Sequence, residues 1–244
     1  MTEDAPKIRL FVDAPLVTGA ELRLGTQAHY LTNVMRRGAG AVFTVFNGVH
    51  GAWRAEILQA GRREVLARVL TQTEPQQDPP DLWLVFAPIK KTRTDFIVEK
   101  ATELGVSRIQ PVLTRFTNAE RVRIERLQAH AREAAEQCGG TYVPPVAEPQ
   151  KLDRLLADWP QDRHLLFCDE RRSAGPVGAV LAAAQSGPWA ILIGPEGGFS
   201  PDESDRLRAL PQTTSATLGP RVLRADTAAV AAITAWQQAL GDWQ

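Results

Sequence analysis

The chain has 244 residues, 44% of them hydrophobic and 23% charged, with 28 basic side chains against 28 acidic ones. That length has room for one large or two modest domains with real cores, the composition argues against disorder, and a formal charge of zero excludes a nucleic-acid binder that is basic throughout. No apolar run reaches the about 18 residues that cross a bilayer, and Met1-Thr2-Glu3-Asp4-Ala5-Pro6 has neither the basic nor the apolar region of a secretion signal, so a cytoplasmic protein with no membrane partner is expected.

Residues 8–70 read mostly as short strands. Ile8–Val12 is apolar except for Arg9, and Val42–Phe46 runs into Asn47-Gly48, a hairpin signal, ahead of Ala52–Leu58 and Glu64–Leu70. Between them Thr26–Met35 has the spacing of a short helix, with Tyr30, Leu31, Val34 and Met35 on one side. A small β-barrel or sandwich with one helix is the expectation. Residues 71–81 are polar and proline-rich with no apolar period, which predicts a first domain over 1–72, a linker over 73–81 and a second domain over 82–244.

From Leu82 the pattern alternates strand and helix. Leu82–Ala87 is a continuous apolar run suited to a strand buried on both faces. Thr92–Leu104 follows as a helix, with Thr92 and Asp95 at capping-box spacing, Phe96, Ile97, Ala101 and Leu104 as its inward stripe, and Gly105 as its stop. Arg108–Leu113 is the next strand, then a helix over 119–138 turns Val122, Leu127, Ala131 and Ala134 inward. His164–Cys168 is a third strand, ending in Asp169-Glu170-Arg171, followed by a helix over Pro176–Gln185 and a strand starting at Trp189. This order predicts a parallel α/β sheet with helices on both faces. Cys138 and Cys168 lie far apart without a Cys-x-x-Cys or His cluster, so no disulfide framework and no metal site is expected, and both read as small core residues.

The last third carries two glycine-bearing loops, each leaving a short strand. Trp189–Ile193 leads into Gly194-Pro195-Glu196-Gly197-Gly198; Ser200-Pro201-Asp202-Glu203 then combines an N-cap serine, a proline at the first helical position and a glutamate at the third. A second short run leads into Leu218-Gly219-Pro220-Arg221-Val222-Leu223-Arg224-Ala225-Asp226-Thr227-Ala228. Open α/β sheets bind ligands at the carboxyl ends of their strands, and glycine lets the backbone approach a ligand closely, so the loops read as one pocket for a flat, nucleoside-like ring. A triphosphate loop is excluded because no Gly-Lys-Ser/Thr follows and Glu196 would repel it. Taken alone, the first loop is equally well a plain strand-to-helix turn. The final helix, from Asp226 to about Leu240, puts Ala229, Ile233, Trp236 and Leu240 on one face, to be buried in the subunit's own core or against a second copy.

Ile193-Gly194-Pro195-Glu196-Gly197-Gly198-Phe199-Ser200 and Leu218-Gly219-Pro220-Arg221-Val222-Leu223-Arg224-Ala225-Asp226-Thr227-Ala228 together resemble the signature pair of the RsmE family, 16S ribosomal RNA (uracil-N3)-methyltransferases of the SPOUT superfamily, and the resemblance extends over most of the chain. It implies an α/β trefoil-knotted methyltransferase domain behind an amino-terminal PUA-like RNA-binding β-barrel. It also implies S-adenosylmethionine (SAM) as cofactor, held by Ile193, Gly194, Glu196, Gly197, Gly198, Leu218, Gly219, Val222 and Leu223; 16S ribosomal RNA of the small subunit as partner; and a homodimer with the last helix at its interface. His29-Tyr30-Leu31 and Val34-Met35-Arg36 resemble the family's amino-terminal helix, which makes Arg9, His29, Arg36 and Arg37 candidate RNA contacts, with His29 otherwise an internally satisfied helix histidine. Lys90, Lys91 and Arg93 add a basic edge. That cluster, Arg36-Arg37 and Arg121-Arg123-Arg126 are each either a phosphate-facing patch or ordinary solvated surface.

Uracil N3 is a weakly acidic imide, so its proton must leave as the methyl bond forms. A guanidinium beside a ring carbonyl would stabilise the developing charge. Arg224 and Asp226 are the candidate catalytic pair: Arg224 to orient and polarise the base, Asp226 to accept the proton, to hold Arg224, or simply to cap the last helix. The family usually has Glu at the position of Asp226, which is one methylene shorter. Two alternatives stand beside this reading: another SPOUT activity such as ribose 2′-O-methylation, and a non-catalytic RNA-binding protein of ribosome assembly.

Overall fold

The computed structural model describes residues 8–118, 122–169 and 174–243. The chain divides into two compact units, Met1–Asp78 with Ala135–Tyr142, and Pro79–Ala134 with Val143–Gln244. Ala119 and Arg121, expected in the second helix and in a basic cluster, and Glu170 and Arg171 lie outside the described residues, as does the start of the chain.

In the first unit β1 (Arg9–Phe11), β2 (Glu21–Leu24), β3 (Val42–Phe46), β4 (Ala52–Ala60) and β5 (Val65–Glu74) form one sheet in the order β1-β3-β4-β5-β2. The alternation that predicted strands decides which face is covered: Leu22 and Leu24, then Val65, Ala67 and Val69, turn into a single apolar cluster closed by Ala28 and Leu31. Asn47-Gly48 does mark the β3–β4 connection. The loop is longer than a two-residue hairpin, because the Asn47 side chain accepts from the N–H groups of Val49 and His50 at 3.1 and 2.9 Å and Gly48 takes a φ of 80°. Strand β5 continues past the expected Leu70 to Glu74, pairing Trp53 with Gln72 and Ala52 with Glu74. Ladder hydrogen bonds belong to the main chain, so polar side chains hid the extension.

The helix expected over 26–35 contracts to a wide helical turn at Tyr30–Val34, in which Met35 N–H reaches back to Tyr30 C=O at 2.9 Å. This i→i+5 spacing takes the side chains off the 3.6 period. Only Leu31 of the expected apolar side is buried; Tyr30 and Val34 are 38% and 57% exposed. The turn ends with Arg36 in the left-handed region, at φ 51°.

The second unit runs β6 (Leu82–Phe86), α1 (Lys91–Glu103), β7 (Arg108–Leu113), α2 (Ile124–Cys138), β8 (Gln150–Lys151), α3 (Leu152–Ala157), β9 (His164–Cys168), α4 (Val177–Ala182), β10 (Trp189–Ile193), α5 (Pro201–Ala209), β11 (Thr213–Ala216) and α6 (Ala225–Leu240); the end of α2 groups with the first unit. Its strands are all parallel, in the order β11-β9-β10-β6-β7-β8. In β10 every residue is buried. Trp189, Ile191 and Ile193 enter a core with α1, α2, α4 and α6, while Ala190 and Leu192 enter a second core with α3 and α5. Helices on both faces thus account for the continuous apolar runs. Strand β8 and helix α3 were not anticipated, although Leu152, Leu155, Leu156 and Trp159 carry the i, i+3, i+4, i+7 spacing of a buried helical face.

Several local expectations are corrected. Helix α1 begins at Lys91, and Thr92 caps nothing; Thr94 Oγ1 instead bonds both main-chain groups of Ile89 at 3.0 Å, and Asp95 pairs with Arg126. Phe96 is 40% exposed, outside the inward stripe. Gly105 does stop α1: at φ 76° it donates to Thr102 C=O, and Val106 N–H donates to Ala101 C=O, both at 3.1 Å. Cys138 is exposed and so not a core residue, whereas Cys168 is partly buried and packs against this unit's core as expected. In α6 Ala229, Ile233 and Trp236 are buried inside this unit's own core, which leaves that face unavailable to a second copy. Among the described residues no helix is long and apolar enough to cross a membrane, and no cluster of three His, Cys, Asp or Glu side chains could hold a metal ion.

Candidate functional site

A cavity of about 580 Å³ opens at the carboxyl ends of β9, β10 and β11. Its first wall is the loop after β10. Gly198 N–H donates to Pro195 C=O at 2.9 Å with Gly198 at φ 71°, closing a tight turn. The Phe199 ring packs so closely on Gly194 that a Cβ there would stand 2.6 Å from Cε2, so a bare main chain faces the cavity. Beyond the turn the loop is held by the expected capping box: Ser200 N–H donates to Glu203 Oε2 at 2.9 Å and Glu203 N–H to Ser200 Oγ at 3.3 Å. Glu203 Oε1 also accepts from Arg115 N–H at 2.8 Å, tying this corner to the end of β7.

The loop between β11 and α6 supplies the opposite wall. Gly219 adopts φ 116°, a conformation open to glycine and strained for other residues, and Val222 is 70% exposed. Of the residues expected to hold a cofactor, the cavity gathers Ile193, Gly194, Glu196, Gly198, Leu218, Gly219, Val222 and Leu223. Gly197 stays outside it, turned toward Phe116, whose Cβ lies 3.3 Å from where a Gly197 Cβ would be. Arg224 lines the cavity.

Asp226 does not line it. It is the second residue of α6, after Arg224 in the N-cap position, and that cap has no side-chain hydrogen bond. Asp226 Oδ1 accepts from Thr227 N–H at 2.9 Å and Oδ2 from Arg93 at 3.3 Å. Asp226 is therefore not the helix cap, and among the described residues its ion pair is with Arg93 and not with Arg224.

Lys90 and Arg93, expected as a basic edge, are cavity residues, whereas Lys91 is not. Sequence reasoning missed Thr217, Arg221, Cys168 and Asp169. The last two close β9, and the rule that ligands gather at strand carboxyl ends could have found them. Asp169 is buried, with Arg208 donating to Oδ2 at 2.6 Å. Burial pushes the Cys168 thiol up to about 12, so this cavity group is neutral.

In the first unit Arg9 is committed internally: it donates to Gly140 C=O at 2.8 Å and lies 4.8 Å from the Phe46 ring centroid, with burial lowering its pKa. His29, Arg36 and Arg37 are exposed.

Comparison with known proteins matches residues 76–237 to the RNA methyltransferase domain family and residues 25–70 to the RNA methyltransferase PUA domain. Ribosomal RNA small subunit methyltransferase E of Synechocystis is 33% identical, over 92% of this chain and 75% of that protein. The protein of the same name from Rickettsia conorii is 29% identical, over 92% of this chain and 93% of its own. Among solved structures, ribosomal RNA small subunit methyltransferase E of Neisseria gonorrhoeae, bound to S-adenosyl methionine, superposes with a TM-score of 0.86 at 28% identity, covering 97% of this chain and 99% of that one. A Legionella pneumophila methyltransferase in complex with SAM reaches 0.87 at 28% identity, over 96% and 98% of the two chains. Sequence and backbone thus agree with these relatives over nearly the whole length, and the chain belongs to the ribosomal RNA small subunit methyltransferase E family.

Proposed function

We propose that this protein transfers a methyl group from SAM to N3 of a uridine in the decoding region of 16S ribosomal RNA. The observation that carries the reading is the single cavity in which both glycine loops meet beside Arg224. The residues present fit the cofactor. Bare main chain at Gly194 and Gly198 and the glycine-only conformation of Gly219 can follow the edges of a flat ring, while Glu196 brings a carboxylate to a ligand with a sulfonium and an ammonium. When bound, SAM supplies an electrophilic methyl.

The chain's own residues position the base and manage its charge. Arg224 polarises a ring carbonyl, and Arg93, held by Asp226, adds a second guanidinium at the same cavity. Two nearby cations favour the deprotonated imide and so ease loss of the N3 proton. Asp226 acts as the positioning residue of Arg93 in this scheme. His29, Arg36 and Arg37 of the first unit, with Lys90 and Lys91 of the second, take RNA phosphates; Arg9 instead anchors its own unit. A target inside folded RNA must be presented by shape, and the base extruded. The protein acts in the cytoplasm as a homodimer, as its resemblance to the family implies.

Calorimetric titration of the full-length protein with SAM, and mass mapping of 16S RNA from cells lacking it, test this proposal. Arg224→Ala should bind SAM within about twofold of the parent and lose about 10²–10³ in kcat, as for removal of one charge-stabilising donor. Wild-type turnover in that variant rejects the role of Arg224, and absence of SAM binding to the parent rejects the reading as a whole.

A further inference from the structure

Lys90 also lines a second cavity, of about 540 Å³, a size within the range of small-ligand pockets. Its walls are the β6–α1 connection, the first turn of α1, and the start of α2. Four cationic side chains, Lys90, Lys91, Arg123 and Arg126, surround one carboxylate, Asp95. That carboxylate is already engaged, because Asp95 is buried, Arg126 donates to its Oδ2, and His130 Nε2 stands 3.6 Å from Oδ1. Lys90, Lys91 and Arg123 are left exposed, with no ion-pair partner among the described residues. Charge runs on solvated helices are usually spaced with carboxylates; here the cations converge on a concavity in which, among the described residues, the one lining acid is neutralised.

We infer that this second cavity holds the phosphate and ribose of a nucleotide adjoining the methylated one on the substrate strand. The inference rests on the proposed methyl transfer in the first cavity. An RNA strand carries one negative charge per nucleotide, and a cavity lined by unpaired cations answers that charge without reading a base. Because Lys90 belongs to both cavities, successive nucleotides can occupy them, which fixes the register of the target base over Arg224. Arg123 thereby becomes a substrate-positioning residue.

The test uses full-length protein, a short fluorescein-labelled oligouridylate, and isolated small ribosomal subunits. Lys91→Ala/Arg123→Ala should weaken oligouridylate binding and raise KM for the subunit about 10-fold or more, with SAM affinity and kcat near the parent. The slope of log Kd against log salt should fall by about 0.7 for each single-strand phosphate that the variant no longer neutralises. Arg123→Lys should recover most of the single-site loss, and Arg154→Ala, on α3 away from the cavity, should change neither binding nor slope. Unchanged RNA affinity and salt slope in the double variant overturn the inference, as would an equal loss in Arg154→Ala, or inorganic phosphate binding as tightly as the oligonucleotide. If the parent fails to bind SAM, the methyl-transfer reading has failed instead, and calorimetry separates the two.

Discussion

Replacing Gly194 with alanine tests the claim that the cofactor wall is bare main chain by necessity. The added Cβ would lie 2.6 Å from Phe199 Cε2 and 3.1 Å from Cδ2 and Cζ, against a comfortable carbon–carbon separation of about 3.5–4.0 Å. Some group must move by about 1 Å. The ring is poorly free to do so, since Phe199 is buried and packs edge-on against Phe167 with centroids 5.4 Å apart. Overpacking of this kind costs about 1–3 kcal/mol. At about 2–4 °C per kcal/mol for a chain of this size, Tm should fall by about 2–12 °C. The alternative relief is for the Gly194 main chain to shift into the cavity, and displacements of about 1 Å at a positioned site can cost about 100-fold. Gly194→Ala should therefore show weakened SAM binding by calorimetry together with a lowered melting point. Trimming the ring in Gly194→Ala/Phe199→Leu should recover part of the affinity, the two changes being non-additive as expected for touching groups. Parent-like Tm and SAM affinity in the single variant would refute the argument, because a rigid contact at that distance cannot be harmless.

Glu203→Ala leaves Ser200 N–H and Arg115 N–H without their acceptor; only the first is buried, and at about 1–3 kcal/mol for a stranded buried donor denaturant unfolding should show a loss of about 1–3 kcal/mol. Asp226→Asn removes a partly exposed ion pair to Arg93 and should cost stability under about 1 kcal/mol, with SAM affinity kept and kcat reduced by no more than about 10-fold. A loss beyond the about 10² expected for a general base would restore proton abstraction to Asp226. Cys168 should resist alkylation at pH 8 while exposed Cys138 reacts, because a thiol held neutral up to about 12 presents no thiolate; comparable labelling by mass spectrometry counts against its burial. In the unfolded chain the same thiol ionises near 9.0, so between those values the folded state holds more protons and stability falls as pH rises through the window.

Residues adjacent in sequence announced themselves. The apolar runs of β6, β9 and β10, the capping box of α5 and the glycine loops are local events, decided by side-chain period, hydrogen bonds within a few residues and backbone freedom, and each is written where it acts. Polar pairing was less legible: β5 reaches Glu74 through main-chain bonds that leave no mark on composition, and the turn at Tyr30–Val34 departs from the 3.6 period on which helix reading depends. What only the tertiary structure decided are contacts between distant positions. That Asp226 pairs with Arg93, 133 residues earlier, that Gly197 faces Phe116 and not the cavity, and that α6 buries Trp236 in its own subunit all follow from how β6, β9 and β10 are ordered side by side in one parallel sheet. Local pattern specifies each strand and loop; the order of strands, set by packing both faces of the sheet at once, determines which of their ends share a site.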